Sequence, residues 1–242
     1  MKPTRLTLAL LTGLAGFALS GGAQATLYDR GGGMIYDDVL DITWLQDANY
    51  AQTSGYDVDG RMTWDEATAW AANLSYGGYD DWRLPSIIDT GTLGVNWTNV
   101  GTDAGYNVQT YDAGTGTVYS ELAYMYYVNL GLKGYYSPTG SYQPDWGIFG
   151  NGTYGGQNDV GLIDNLQSNM YWSGLEYAPS TGDAWYFYPR YGSQGAARKN
   201  YEFSYAWAVR PGDVAAVPEP ETYALMLAGL GLLGVAARRR RG

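Results

Sequence analysis

The sequence predicts an α+β fold, an antiparallel sheet with two or three helices and long loops. Three observations lead there. Glycine (35), tyrosine (24) and tryptophan (9) are abundant, a balance that favours short strands, turns and aromatic packing over a helical bundle. One segment carries a complete helix-start signal. Several short runs alternate in polarity, or stay apolar, between turn residues.

Taken in chain order, the triple glycine Gly31 to Gly33 precedes Met34-Ile35-Tyr36 and Ile42-Thr43-Trp44-Leu45, with Asp37, Asp38 and Asp41 between them. That pattern reads as a hairpin. A helix begins at Thr63, where Thr63 and Glu66 form a T-x-x-E capping box that satisfies two first-turn donors. Ala67, Trp70, Ala71 and Leu74 then share one face, and Gly77-Gly78 supplies a left-handed stop. A second helix is expected from Ser86, after Pro85. A third is expected over Glu121 to Leu130, with Leu122, Met125, Tyr126 and Leu130 near one face. The stretches 91–120 and 134–158 lack strong periodicity and read as long surface loops, a setting that often carries function. Strands return at 171–173, 184–188 and 205–210.

The two ends carry address signals. Lys2 and Arg5 precede an apolar stretch from Leu6 to Leu19, and Ala23-Gln24-Ala25 offers the small-x-small site that signal peptidase reads. Residues 1–25 are therefore expected to be a signal peptide. At the other end, Pro218-Glu219-Pro220 precedes an apolar run from Tyr223 to Ala237 and then Arg238, Arg239, Arg240 and Arg241. As a helix that run spans roughly 22 Å at ~1.5 Å per residue, against the ~30 Å of a hydrocarbon core. Snorkelling arginines and an interfacial Tyr223 can offset the mismatch. The basic block orients the C-terminal end to the cytoplasm, so Glu219 and Glu221 face outward. This tail, 217–242, resembles the PEP-CTERM sorting signal. The resemblance implies exosortase handling and a transient inner-membrane anchor through the C-terminal helix. It also implies a destination in the cell envelope or extracellular matrix, in association with exopolysaccharide or biofilm.

Between the signals, 26–216 is long enough for one domain with a sizeable core. Setting the ends aside leaves 8 of the 14 basic and 22 of the 24 acidic residues, a net charge of −14 against −10 for the whole chain. Such a surface repels nucleic acid and anionic lipid, and it argues against sulfated glycans as ligands. Neither cysteine nor histidine occurs. Their absence removes Ser-His-Asp and Cys-His catalysis, histidine-ligated zinc and thiol redox chemistry.

An ordered set of motifs, including Trp82-Arg83-Leu84-Pro85 and Ala206-Trp207-Ala208-Val209-Arg210, resembles the Lcl C-terminal-like domain family over nearly all of 27–213. The resemblance implies adhesion. Arg83-Leu84-Pro85 also looks distantly like a segment of C-type-lectin-like and sulfatase-modifying folds. Their cysteines are missing here, so a lectin-like architecture is implied without that catalysis. The motif tryptophans are read as core, and Arg83 and Arg210 as braces paired with carboxylates such as Asp80, Asp81 or the Asp41 region.

Two clusters invite a ligand. Asp57, Asp59 and Glu66 fall at calcium-loop spacing around Gly60, although no helix leads in and Glu66 is also the capping residue; the alternative is a turn feeding the capped helix. Loop aromatics Trp97, Tyr136, Tyr142 and Trp146, with the later segment 186–191, stand among Asn, Asp and Gly. They read either as a sugar-stacking surface or as pins that hold the loops. No cofactor is required, and no spacing selects a carboxylate pair for hydrolysis. The expectation is a non-enzymatic, polysaccharide-binding or adhesive exported domain. The alternatives are a structural matrix protein without a specific ligand and, further off, a glycoside hydrolase.

Overall fold

The computed structural model describes residues 26–90 and 103–214. The expected signal peptide with Ala23 and Ala25, Trp97, and the sorting tail with Pro218, Glu219, Pro220 and Arg238 to Arg241 lie outside the described residues. Among those described, no helix is long and apolar enough to cross a membrane.

The first strands, β1 (Leu27–Asp29), β2 (Met34–Asp37) and β3 (Ile42–Leu45), form two antiparallel hairpins, the second pairing Met34 with Leu45 and Asp37 with Ile42. Asp37 shapes its turn, as Oδ1 accepts from the Val39 and Leu40 amides at 3.1 and 3.0 Å. One helical turn, α1 (Tyr50–Thr53), leads through a loop to β4 (Arg61–Met62) and α2 (Trp64–Ala72). The expected capping box is present, and Ala67, Trp70 and Ala71 are the buried face. The helix closes at Asn73, earlier than Gly77-Gly78. Those glycines, at φ +64° and +86°, instead form the turn between Tyr76 and Tyr79.

No helix begins at Ser86. Its amide donates to Glu121 Oε2 at 2.6 Å, its carbonyl accepts from the Glu121 amide, and Ile87 bridges Ser120. The backbone groups that a helix would use are thus committed to another segment. Strands β5 (Gly105–Tyr106), β6 (Tyr111–Asp112) and β7 (Thr117–Val118) follow. Next comes α3 (Glu121–Tyr124), capped by the Ser120 hydroxyl, and it continues as a π-helical turn over Met125–Asn129. The 121–130 helix is therefore present, and its wide final turn bonds the Leu130 amide to the Met125 carbonyl.

The chain then builds β8 (Gln157–Val160) with β9 (Ile163–Gln167), β10 (Tyr171–Glu176), β11 (Asp183–Tyr188), β12 (Ser193–Arg198), β13 (Ser204–Tyr205) and β14 (Val209–Pro211). Two main sheets result, in strand orders β1-β2-β3-β14 and β4-β13-β10-β11-β12-β5. The first is antiparallel throughout; in the second, β10 and β13 run parallel. The fold is α+β.

The run 205–210, expected as one strand, changes sheets. Tyr205 pairs in the larger sheet, Ala206 to Ala208 cross the core, and Val209 pairs with Trp44 in the smaller one. Trp207 explains the crossing. Its indole donates to the Leu45 carbonyl at 2.7 Å and its ring lies 4.6 Å from Trp44 and 5.9 Å from Tyr171. Trp172 is tied likewise, donating to the Met62 carbonyl at 2.9 Å. Each satisfied indole avoids the roughly 1–3 kcal/mol cost of a buried orphan donor.

The Trp82-to-Ser86 segment staples the two sheets. Arg83 exchanges both backbone hydrogen bonds with Val209, and the Gly174 amide of β10 donates to the Pro85 carbonyl. The Arg83 guanidinium then forks onto Glu121, Nη1 and Nη2 each donating at 2.8 Å. Arg210 forks onto Asp81 at 2.7 and 2.9 Å, which holds that carboxyl below its usual range through the hydrogen bonds. Both arginines are braces as expected. The partner of Arg83 is Glu121, while Asp41 accepts instead from the Tyr36 hydroxyl.

Two predictions follow from these buried carboxylates. Arg83→Leu strands Glu121, which is 4% exposed, and is expected to cost about 3 kcal/mol, or roughly 6–12 °C in melting temperature. Arg83→Leu with Glu121→Leu is expected to recover part of the loss, and an unchanged Tm in the single variant would remove the bracing role. Asp37 is fully buried, and desolvation raises its carboxyl above the usual range. A raised acid weakens the fold as pH climbs above the unfolded value of 3.8. Asparagine keeps the turn acceptor, and its amide can donate to the unpartnered Asn129 Oδ1 once that side chain turns over. Asp37→Asn is expected to stabilise by about 1 kcal/mol at pH 7. The advantage should shrink toward pH 4 in parallel melting curves; one that grew on acidification would contradict the assignment.

Candidate functional site

The proposed loop aromatics gather into a cluster, but one folded inward. Trp146 is 2% exposed. Its ring stacks on Tyr191 at 5.4 Å, meets Tyr135 and Tyr154 edge-on at 5.3 and 5.2 Å, and its indole donates to Tyr142 Oη at 3.4 Å. Gly152, at φ +72°, passes so close that a Cβ there would lie 2.9 Å from the Trp146 indole nitrogen. Trp146 is thus the core of the 134–158 loop and offers no free face to a sugar; edge-to-face contacts with neighbouring rings outcompete a solvent-exposed position. Tyr136 is half-buried against Tyr106, and Tyr142 stays exposed at the rim.

Asp57, Asp59 and Glu66 do not assemble as a calcium site. Asp57 Oδ1 accepts from the Asp59 and Gly60 amides at 2.9 and 2.7 Å, and Glu66 Oε2 accepts from the Thr63 amide and hydroxyl. Those Thr63 hydrogen bonds lower the Glu66 carboxyl. The turn is completed by Gly60 at φ +78°, where a Cβ would strike the Asn49 side chain. Among the described residues no group of three or more acidic side chains could hold a metal ion. The oxygens that calcium would need already serve the turn and the helix cap.

What the turn does is aim Asp59 and Arg61 at a polar cleft of about 430 Å³. Gln52, Gln157, Gln167 and Asn169 supply amides to its walls, and Tyr188, Arg190 and Tyr205 complete them. Arg61 Nε donates to Tyr205 Oη at 3.2 Å and lies 3.6 Å from Asp59. Gln167 Nε2 donates to Gln157 Oε1 at 2.9 Å, so the amide wall is internally oriented. The Arg190 guanidinium sits 3.9 Å over the Tyr154 ring and Nη1 donates to Tyr188 Oη at 3.3 Å.

Tyr188 and Asn169 also line a second groove, of about 440 Å³, on the outer face of the larger sheet, with Tyr186, Tyr201 and Phe203. The strand period of two decides this face. Trp185 and Phe187 of β11 point into the core, so Tyr186 and Tyr188 point out. Tyr186 pairs with Gly195, whose missing side chain lets the phenol lie across β12. Tyr201 and Phe203 are 40% and 51% exposed, with ring centroids 4.9 Å apart. A polar cleft thus opens onto an aromatic floor.

A family model, the Lcl C-terminal domain, matches residues 33–210. The chain belongs to that family. The Lcl domain match runs from Gly33, beside β2, to Arg210 of β14, so it contains the larger sheet, all of the smaller one but β1 and Pro211, the stapling segment and both parts of the groove. The PEP-CTERM protein-sorting motif matches 216–241, which makes this an exported, envelope-directed protein processed by exosortase. No curated protein and no solved structure matches the chain.

Of the described loop aromatics read from sequence as a sugar surface, only the 186–191 segment reaches the groove. Gln52, Arg61, Gln157, Gln167, Asn169, Tyr201, Phe203 and Tyr205 were not singled out for it. The alternation of β11 is the one local signal that could have pointed there. Trp146→Ala is expected to cost about 3–5 kcal/mol by denaturant titration, through loss of the loop's core. Wild-type stability in that variant would return Trp146 to the list of surface platforms.

Proposed function

We propose that the Lcl domain binds polysaccharide, and that it does so in the groove running from the Arg61–Arg190 cleft to the Tyr186–Phe203 floor. The observation that carries this reading is the continuity of the two halves through Tyr188 and Asn169. Sugar rings present C–H faces that lie against exposed aromatic rings, while their hydroxyls exchange hydrogen bonds with planar amides and guanidinium groups. This groove offers both in order, on β4, β8, β9 and β11 and on the turn after β12. Exposed contiguous aromatic surface is uncommon on a soluble domain unless something covers it.

The reading is of a non-catalytic module. Glycoside hydrolysis uses two carboxylates roughly 5–9.5 Å apart, and the cleft wall contributes one, Asp59, engaged by Arg61. Exosortase sorting places such a module outside the cytoplasm, where exopolysaccharide is the abundant polymer of a biofilm matrix. Adhesion to that polymer is the role that fits.

Affinity electrophoresis against a panel of neutral and acidic polysaccharides tests the proposal. Tyr201→Ala with Phe203→Ala is expected to weaken binding at least tenfold while leaving the melting temperature within a few degrees, because both rings are exposed. Retention of full affinity in the double variant would move the site elsewhere. Absence of binding by the wild type across the whole panel would favour a structural matrix protein.

A further inference from the structure

The charge pairing of the domain singles out Arg190. Six of the eight basic residues between 26 and 216 face a carboxylate, as Arg30–Asp213, Arg61–Asp59, Arg83–Glu121, Lys133–Asp145, Lys199–Glu176 and Arg210–Asp81. Among the described residues, Arg198 and Arg190 face none. Arg198 is exposed at the end of β12, where water solvates it; Arg190 is half-buried. With 22 acidic residues in the same segment, a half-buried arginine without an acid is the exception.

Its surroundings hold the cation without neutralising it. The guanidinium lies over Tyr154 at 3.9 Å and near Tyr191 at 5.0 Å, and Nη1 donates to the Tyr188 hydroxyl. Nε is buried and has no hydrogen-bond partner. Stacking on tyrosine faces attracts a cation less than a charge-assisted hydrogen bond with an anion does. A half-buried guanidinium with no acid beside it, on the wall of an open cleft, suits a carboxylate.

The charge count of the cleft limits the anion. Arg61 is offset by Asp59, so the lining carries one net positive charge, on Arg190. One monoanionic group matches it. A densely charged polymer would meet the net −14 of the domain. The remote acids act weakly on a single charge, because the Debye length is about 8 Å at physiological ionic strength.

We propose that the cleft is a subsite for a uronic acid, a sugar unit bearing one carboxylate within an otherwise neutral glycan, with Arg190 as the residue that pairs with it. The inference rests on the polysaccharide reading of the same groove and adds the chemical class of the unit bound there. Tyr186, Tyr201 and Phe203 then carry the neutral units beyond it.

The test uses the full-length protein in detergent and two forms of one polymer. These are glucuronoxylan and the same xylan after chemical reduction of its carboxylates to alcohols, titrated calorimetrically. Wild type is expected to bind glucuronoxylan at least tenfold tighter than the reduced form, with the preference shrinking in 0.5 M sodium chloride. Arg190→Gln is expected to erase the preference, bringing affinity for glucuronoxylan down to that for the reduced polymer. Arg190→Lys should keep part of it, and serves if the glutamine variant misfolds. Equal wild-type affinity for both polymers overturns the uronate subsite and leaves polysaccharide binding standing. Binding of neither polymer, with a neutral glycan of the panel bound, overturns it as well. If nothing in the panel binds, both readings fall together.

Discussion

Glu121 holds the two sheets of this domain in register. Its carboxylate, almost fully buried, receives both arms of Arg83 and the amide of Ser86, while its own amide reaches back to the Ser86 carbonyl. The segment so gripped also bonds β14 through Arg83 and β10 through Pro85. One charge pair therefore fixes a strap across both sheets and the start of α3. Charge pairs of this kind contribute little net stability compared with apolar packing of the same volume, but they penalise any arrangement that separates them. Their value here is in specifying which segment lies where.

The same strap places the groove. With β10 and β13 set against each other by the crossing of Trp207, the end of β11 and the loop before β4 meet at one edge of the larger sheet. Asp57 and Gly60 shape that loop so that Arg61 reaches Tyr205, and the Trp146 cluster steadies the loop that brings Tyr154 over Arg190. Buried aromatics and exposed aromatics thus have separate duties. The first group rigidifies the support; the second, on the outward face of β11 and the turn after β12, is left bare.

Export and charge fit together with this division. An acidic exterior keeps the domain soluble and away from anionic lipid once it is outside the cytoplasm. Against that background, positive charge must be neutralised locally or used. Five basic side chains besides Arg61 are neutralised by nearby carboxylates, and the cleft carries the half-buried one that is not. The lack of cysteine and histidine removes disulfides and metal ligation from the stabilising terms, which leaves indole-to-carbonyl hydrogen bonds, guanidinium forks and ring packing to hold the fold.

Local signals were legible wherever the physics is local. The Thr63–Glu66 capping box, the 34–45 hairpin, the 121–130 helix and the C-terminal sorting tail all depend on neighbours within a few residues, so the sequence by itself sufficed to read them, along with the α+β class and the family. It misplaced a helix at Ser86 because the acceptor and donor that claim that backbone belong to Glu121, 35 positions away. It read 205–210 as one strand because nothing local reveals that Trp207 must cross to Leu45. It offered Trp146 as a platform because composition cannot tell a ring facing water from one facing three other rings. The groove itself, with Gln52, Arg61, Gln157, Arg190 and Phe203 on one surface, was decided by tertiary structure alone. Its members are scattered over 150 residues, and only long-range packing brings them within reach of a single ligand.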